Sequence, residues 1–378
     1  MVRARRGPLF SRFIPLGLML LLTPLAAAFT ATAAIAQDSA PLSCTLKPAS
    51  PATPPAAPES KVAAPASGPK IKVTIGYVKA SVFAPMFIAK DRGFFAAQGL
   101  DVDLQPLPGG SDMVALTATG KFYAGIGGAG PAFWNALALG LPLKAIAPGH
   151  AEGNPVATPL MISKTACESG SIKAVADLKG KKVAVNARGA TEYWLFQALG
   201  TGGLTLDDVQ LQTLAFPDAV AALQAGAIDA AMIGEPLATS AEQKGLAVRL
   251  ATGFPVQDVQ PTIVFANRDF LKKNPAAATG IVTAYLTACR KMMKGGFDDP
   301  TDLAIIESYT GVPAALVQAA VRPVYAVDGT FNTEGLKKLQ AFFRQRGQLE
   351  YDKDLDPASF IDTAYVDAAV AALGPFQP

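Results

Sequence analysis

The sequence predicts an α/β protein of two look-alike lobes, each a mostly parallel sheet wrapped by helices. Three observations predict it. From Lys70 onward, short β-rich runs alternate with longer helical runs, the order that builds parallel sheets. One unit of the first half returns in the second. Ala118-Thr119-Gly120, a strand and a helix opened by Pro131 match Gln224-Ala225-Gly226, a strand and a helix opened by Pro236. Two stretches rich in Pro, Gly and Thr, near 150–158 and 253–262, can carry the chain between lobes and back as a hinge pair.

The strands of the first half are read at 71–76, 100–107, 123–127 and 143–148, with helices at 85–92, 111–119 and 131–139 between them. The second half repeats this with strands at 182–186, 209–215, 229–233 and 247–252 and helices at 190–199, 218–224 and 236–244. One more β-like run, 261–266, precedes helices at 267–273, 275–294, 302–309, 313–321, 333–346 and 363–373. Pro275 and Pro313 suit first-turn positions, where the missing N–H costs nothing. Lobe I is therefore expected to comprise 70–154 plus 259–378, and lobe II 155–258.

The segment before Lys70 is of another kind. The first 36 residues hold Arg3, Arg5, Arg6 and Arg12 and no acidic residue, then an apolar stretch and Ala34-Ile35-Ala36. This is the pattern of a secretory signal cut after Ala36; an uncleaved membrane anchor is the competing reading. Residues 37–69 carry eight prolines and eight alanines, which favours an extended linker, either a plain leader or a spacer. Without the four N-terminal arginines, 29 of the 33 basic residues remain against 30 acidic ones. A near-neutral body gives no electrostatic reason to expect nucleic acid.

Three cysteines, Cys44, Cys167 and Cys289, make no disulfide scaffold and no metal spacing. A Cys167–Cys289 bridge is open to the chain in an oxidising compartment, while the apolar helical run around Cys289 reads it as a buried small hydrophobe. Leu42-Ser43-Cys44 lies too far beyond the apolar run to be a lipoprotein site.

In open α/β sheets ligands lie beyond the carboxyl ends of the strands, where helix N-termini present free donors. Four turns qualify. Tyr77, Ser81 and Phe83 follow the first strand and offer a hydroxyl and aromatic faces; Phe87 reads as core. Gly127-Gly128-Ala129-Gly130-Pro131 brings bare N–H groups to a helix start, with Phe133 or Trp134 buried behind it. Asn186-Ala187-Arg188-Gly189-Ala190-Thr191 places a guanidinium and a hydroxyl at another helix start, although Arg188 can equally be a surface residue. Tyr193 or Trp194 could close over a ligand. Gly234-Glu235-Pro236 puts a carboxylate at a fourth, where it either caps the helix or receives an ammonium or amide donor. His150, the single histidine, sits at the first crossing without metal-ligating company.

With these turns in view, the sequence resembles the NMT1/THI5-like substrate-binding proteins of ABC importers, a group that handles nitrate, taurine, aliphatic sulfonates and pyrimidine precursors. The resemblance spans about 70–295. It rests on Phe87-Ile88-Ala89-Lys90-Asp91-Arg92-Gly93-Phe94-Phe95, the stretch 124–148, Asp177-Leu178-Lys179-Gly180-Lys181-Lys182, and 229–245 with Glu235-Pro236. It implies a type II periplasmic-binding-protein fold that closes by hinge motion. It also implies a cleft lined at Tyr77, Gly128-Ala129, Arg188-Gly189-Ala190-Thr191 and Glu235. Tyr123 where the family often has Asp, and Gly234 where an aromatic often precedes Glu-Pro, bear on which ligand is bound.

The expected function is an extracytoplasmic, periplasmic receptor for a small organic anion or zwitterion. Its partners would be permease and ATPase subunits, with no metal, cofactor or catalytic residue, and it would act as a monomer. The expected ligand set is Tyr77, Phe83, Gly128, Ala129, His150, Arg188, Gly189, Ala190, Thr191 and Glu235. A pyrimidine-precursor protein or THI5-like enzyme on the same fold, and a ligand-sensing accessory domain, are the alternatives.

Overall fold

The computed structural model describes Cys44 and residues 68–377. The signal segment, and the linker apart from Cys44 and its last two residues, lie outside the described residues. Two five-stranded sheets organise the chain. The strands are β1 Ile71–Val78, β2 Leu100–Leu107, β3 Ala124–Gly128, β4 Leu143–Pro148, β5 His150–Ala151, β6 Leu160–Ser163, β7 Lys182–Val185, β8 Gln210–Thr213, β9 Ala230–Met232, β10 Ala247–Ala251, β11 Thr262–Asn267 and β12 Val324–Tyr325.

The two sheets share one plan. The first runs β2-β1-β3-β11-β4 and the second β8-β7-β9-β6-β10. In each, three parallel strands are followed by one antiparallel strand inserted before the last. The inserted strand is the one that follows a crossing: β6 enters the second sheet after the first crossing, and β11 returns to the first sheet after the second. This pseudo-symmetry is the two-lobed plan that the repeat in the sequence predicts. The central strands are covered on both faces, so Val73, Ile75, Val183, Ala230 and Met232 are all buried. β6 is absent from the sequence reading because its four residues follow a Pro-rich crossing and lead straight into the helix Lys164–Glu168, leaving no period to detect.

The two crossings are bonded to each other. Gly149 N donates to Thr262 O at 2.8 Å and Val156 N to Thr252 O at 2.9 Å. The Gln257 amide reaches Gly153 O at 3.0 Å. A Cβ on Gly149 would fall 2.2 Å from Thr262 Oγ1, so the backbones meet there only because Gly149 has no side chain. C-terminal segments flank this hinge. β12 pairs antiparallel with β5, and Gln260 of the second crossing bonds Thr330 O and Asn332 N.

The C-terminal helices divide their packing. Pro275–Met293 and Ala364–Leu373 pack in the apolar cluster of the first sheet. Thr333–Gln345 buries Leu336, Leu339, Phe342 and Phe343, a 3–4-spaced face, in a cluster with residues of both halves. Phe342 meets Tyr193 of the helix Ala190–Gly200 at 5.2 Å between centroids. Arg92, within the segment that carries the family resemblance, stands at the end of the helix Ala84–Asp91 and bonds Asp302 (2.7 Å) and Asp299 (2.8 Å), which Lys291 also holds.

The Cys167–Cys289 pairing is not what forms. Cys44 bonds Cys167, with Cα atoms 5.7 Å apart, and Cys289 is free and buried. Cys289 packs in the core of the first sheet, whereas Cys167 packs with the second, so the two thiols face different cores. No helix among the described residues is long and apolar enough to cross a membrane.

Candidate functional site

Turns at the carboxyl ends of β2, β3 and β7 lead into helices. Three helices begin there without a side-chain cap: Gly110–Ala118, Pro131–Ala138 and Ala190–Gly200. Their first-turn N–H groups lack intrahelical acceptors and carry the positive end of the helix dipole. A Cβ on Gly110 would lie 4.0 Å from Gly128 N, and one on Gly189 would lie 3.6 Å from Pro131 Cδ. The Arg188 turn of the second half therefore stands against the helix start that the glycine turn of the first half leads into. Gly189, at φ 131°, takes a backbone conformation that side chains resist, which is why the helix can begin so abruptly.

Ala129 supports this turn. Its N–H goes to Pro261 O at 2.8 Å, its carbonyl accepts from the Trp134 indole at 3.0 Å, and Phe133 and Trp134 are both buried behind it. The exposed parts of the turn are Gly128 and the helix start.

Tyr77 lies within β1, which runs two residues beyond the sequence reading, and is buried edge-on against Phe87 (5.0 Å), which itself stacks on Tyr309 at 4.7 Å. Tyr77 thus belongs to the core behind the cleft. Ser81 is 6% exposed. Phe83 meets His150 edge-on at 6.4 Å. The His150 Nδ1 lies 2.8 Å from Thr262 Oγ1, and its backbone N–H donates to the same oxygen at 2.8 Å. Burial pulls the imidazole down to about 4, so it is neutral at physiological pH.

Arg188 turns away from the helix start. It is half-exposed, with Nε 3.5 Å from Glu192 and Nη2 donating to Arg346 O at 3.2 Å. Glu192 is fully buried and holds Arg346 at 2.8 Å and Gln348 at 2.6 Å. Ala190 and Thr191 stand at the helix start itself. Tyr193 and Trp194 are both buried in protein contacts and neither covers the cleft: Tyr193 packs on Phe342, and Trp194 donates to Glu152 at 2.7 Å.

Glu235 is already occupied. Its carboxylate accepts from Arg249 (2.7 Å), the Thr239 N–H (3.0 Å) and the Thr239 hydroxyl (3.0 Å), so it caps the helix Leu237–Gln243 and pairs within its own lobe. The Val321 N–H approaches it at 3.4 Å. Beside it, a Cβ on Gly234 would fall 2.8 Å from the Phe216 ring, so an aromatic covers this turn from the preceding helix, Phe216–Gln224, rather than from position 234.

Glu152 was not singled out by sequence. Its three partners are Ala157 N, Thr158 Oγ1 and Trp194 Nε1. The only sequence signal is an acidic residue inside a Gly/Pro-rich crossing. No group of His, Cys, Asp and Glu among the described residues is arranged to hold a metal ion.

Known proteins are similar to this chain in sequence and fold. Over 241 residues the chain is 29% identical to the nitrate/nitrite binding protein NrtA of Nostoc sp., covering 59% of this chain and 55% of that one. The chain thus spans about half the length of that relative. The crystal structure of the periplasmic aliphatic sulphonate binding protein SsuA from Escherichia coli aligns with a TM-score of 0.62 at 23% identity, over 78% of this chain and 98% of that one. The desulfurization enzyme DSZB aligns with a TM-score of 0.57 at 16% identity, over 80% of this chain and 100% of that one. At such identities the two structures speak to the fold alone, which is that of the periplasmic binding proteins. The profile described as NMT1/THI5 like matches residues 80–295, more than half of the sequence, and the chain belongs to that family.

Proposed function

We propose that the chain is the extracytoplasmic solute-binding protein of an ABC importer and captures a small organic anion or zwitterion between its lobes. The observation that carries this reading is that an uncapped helix start of the second half, at Gly189, stands beside one of the first, at Pro131, with Gly110 of a third beside Gly128. Bare N–H groups at helix N-termini suit a sulfonate, nitrate or carboxylate. Gly128, Gly189, Ala190 and Thr191 are assigned to the anion, with the Ser81 hydroxyl and the neutral His150 ring as further polar contacts and Phe83 as an apolar wall. Tyr77, Ala129 and Glu235 act behind this surface, and Arg188 acts at its rim.

Binding is favoured over catalysis because the one hydroxyl bonded to the His150 ring among the described residues, that of Thr262, also accepts from the His150 N–H and is held within the hinge. Of the described thiols, Cys289 lies in a core and Cys44 and Cys167 are joined. That disulfide suits an oxidising compartment, in keeping with a periplasmic site of action. The protein is expected to act as a monomer and to deliver its ligand to permease and ATPase subunits.

Thermal-shift and calorimetric titration of the mature protein with nitrate, alkanesulfonates, amino-sulfonates, aromatic carboxylates and pyrimidine precursors tests the reading. At least one anion or zwitterion should raise the melting temperature and saturate. Uniform silence across the panel, or turnover of a bound compound, would count against it.

A further inference from the structure

Glu152 is a buried carboxylate that the reading above leaves unused. It stands on the first crossing, two residues after His150, and is 3% exposed. Oε1 accepts from the Trp194 indole at 2.7 Å and the Thr158 hydroxyl at 2.9 Å, and Oε2 accepts from Ala157 N. The indole and the amide can only donate, and a donor on each oxygen favours the charged form. What Glu152 lacks is a cation. Glu235 has Arg249 at 2.7 Å and Glu192 has Arg346 at 2.8 Å, yet all three partners of Glu152 are neutral. Burial raises its pKa and the charge of Glu235 adds to the rise, and the three hydrogen bonds offset this only in part; the two carboxylates lie within each other's field. Around this point His150 is neutral, and Arg188 is half-exposed and already drawn to Glu192.

We propose that Glu152 is a charge-selectivity determinant: its uncompensated charge behind the cleft admits monoanions and zwitterions and turns away dianions such as inorganic sulfate. This rests on the solute-binding reading. Glu152 touches no ligand in this scheme; it acts through its field, which a dianion feels twice and which a ligand ammonium partly offsets. The helix starts alone would favour the higher charge, so the preference for single charge needs a buried negative group to set it.

The test is calorimetric titration of the mature protein with ethanesulfonate, 2-aminoethanesulfonate and inorganic sulfate at pH 7.5 and equal ionic strength. The wild type should bind the organic ligands at least about tenfold more tightly than sulfate. Glu152→Gln should shrink that ratio by roughly tenfold, because the second charge of a dianion no longer meets a buried like charge. An unchanged ratio in a folded Glu152→Gln overturns the proposal. So does a wild type that binds sulfate as tightly as ethanesulfonate, a comparison that needs no variant. If no organic anion binds at all, the solute-binding reading fails first.

Discussion

The Trp194 indole donates to Glu152 across 2.7 Å and so ties the helix Ala190–Gly200 to the first crossing. Both partners are buried, and the bond fixes where this helix starts relative to the hinge. Trp194→Phe keeps most of the ring volume and removes the donor. A buried carboxylate short of one donor should cost about 1–3 kcal/mol, read as a lower urea midpoint with an unchanged slope. An unchanged midpoint would mean that the bond contributes nothing net.

The contrast between Glu152 and Glu235 shows what a sequence can display. Glu235 stands next to a proline at a strand end, so a helix-capping role is legible from neighbours one to four residues away. Glu152 draws on partners 5, 6 and 42 residues away, and only the fold brings the last of them near. The diversion of Arg188 is intermediate: Glu192 lies four residues on, a helical spacing visible in the sequence, but Arg346 is 158 residues distant. The look-alike halves were legible because period and punctuation repeat locally. β6 and the Cys44–Cys167 pairing were not, since a four-residue strand has no period and connectivity does not follow from cysteine spacing.

His150 makes stability depend on pH in a defined window. Its folded-state pKa of about 4 lies below the ordinary value of 6.5. The unfolded chain therefore binds the proton first, and stability is full above about pH 6.5 and is lost as pH falls toward 4. The loss should reach on the order of 3 kcal/mol at pH 4. Since the chain has one histidine, His150→Asn should flatten this part of the curve in melting experiments run every half unit. A parallel fall in wild type and variant would assign it to carboxylates instead.

Arg92 holds two aspartates at once. Asp302 is wholly buried, and Asp299, which burial alone would push up, is kept below its ordinary pKa by Lys291, the Thr301 amide and Arg92. Arg92→Met leaves Lys291 as the sole cation for both, and should destabilise by on the order of 3 kcal/mol. Arg92→Lys should recover little, because one ammonium cannot reproduce the fork. Chemical denaturation of both variants decides the matter.

The Cys44–Cys167 bond closes a sequence separation of 123 residues. Its removal in Cys44→Ser should lower stability by about 2–5 kcal/mol, and reductant should bring the wild type to the same melting temperature. Burial holds the Cys289 thiol well above its ordinary pKa, so it should resist alkylation until the protein unfolds. Rapid labelling of Cys44 in the untreated native protein would contradict this pairing.

Gly149 marks the place where the crossings touch. An added methyl would fall 2.2 Å from Thr262 Oγ1 and 2.6 Å from Thr262 O, and would push apart the Gly149–Thr262 and His150–Thr262 bonds. Gly149→Ala should therefore cost about 1–3 kcal/mol through overpacking. It should also weaken ligand binding, because the crossings set how the two rows of helix starts meet. Thr262→Ala in the same chain removes the hydroxyl but leaves the backbone oxygen, so it should restore only part of the loss. Full recovery in that double variant would show that the contact is a side-chain clash alone, and that the crossings are free to slide on one another.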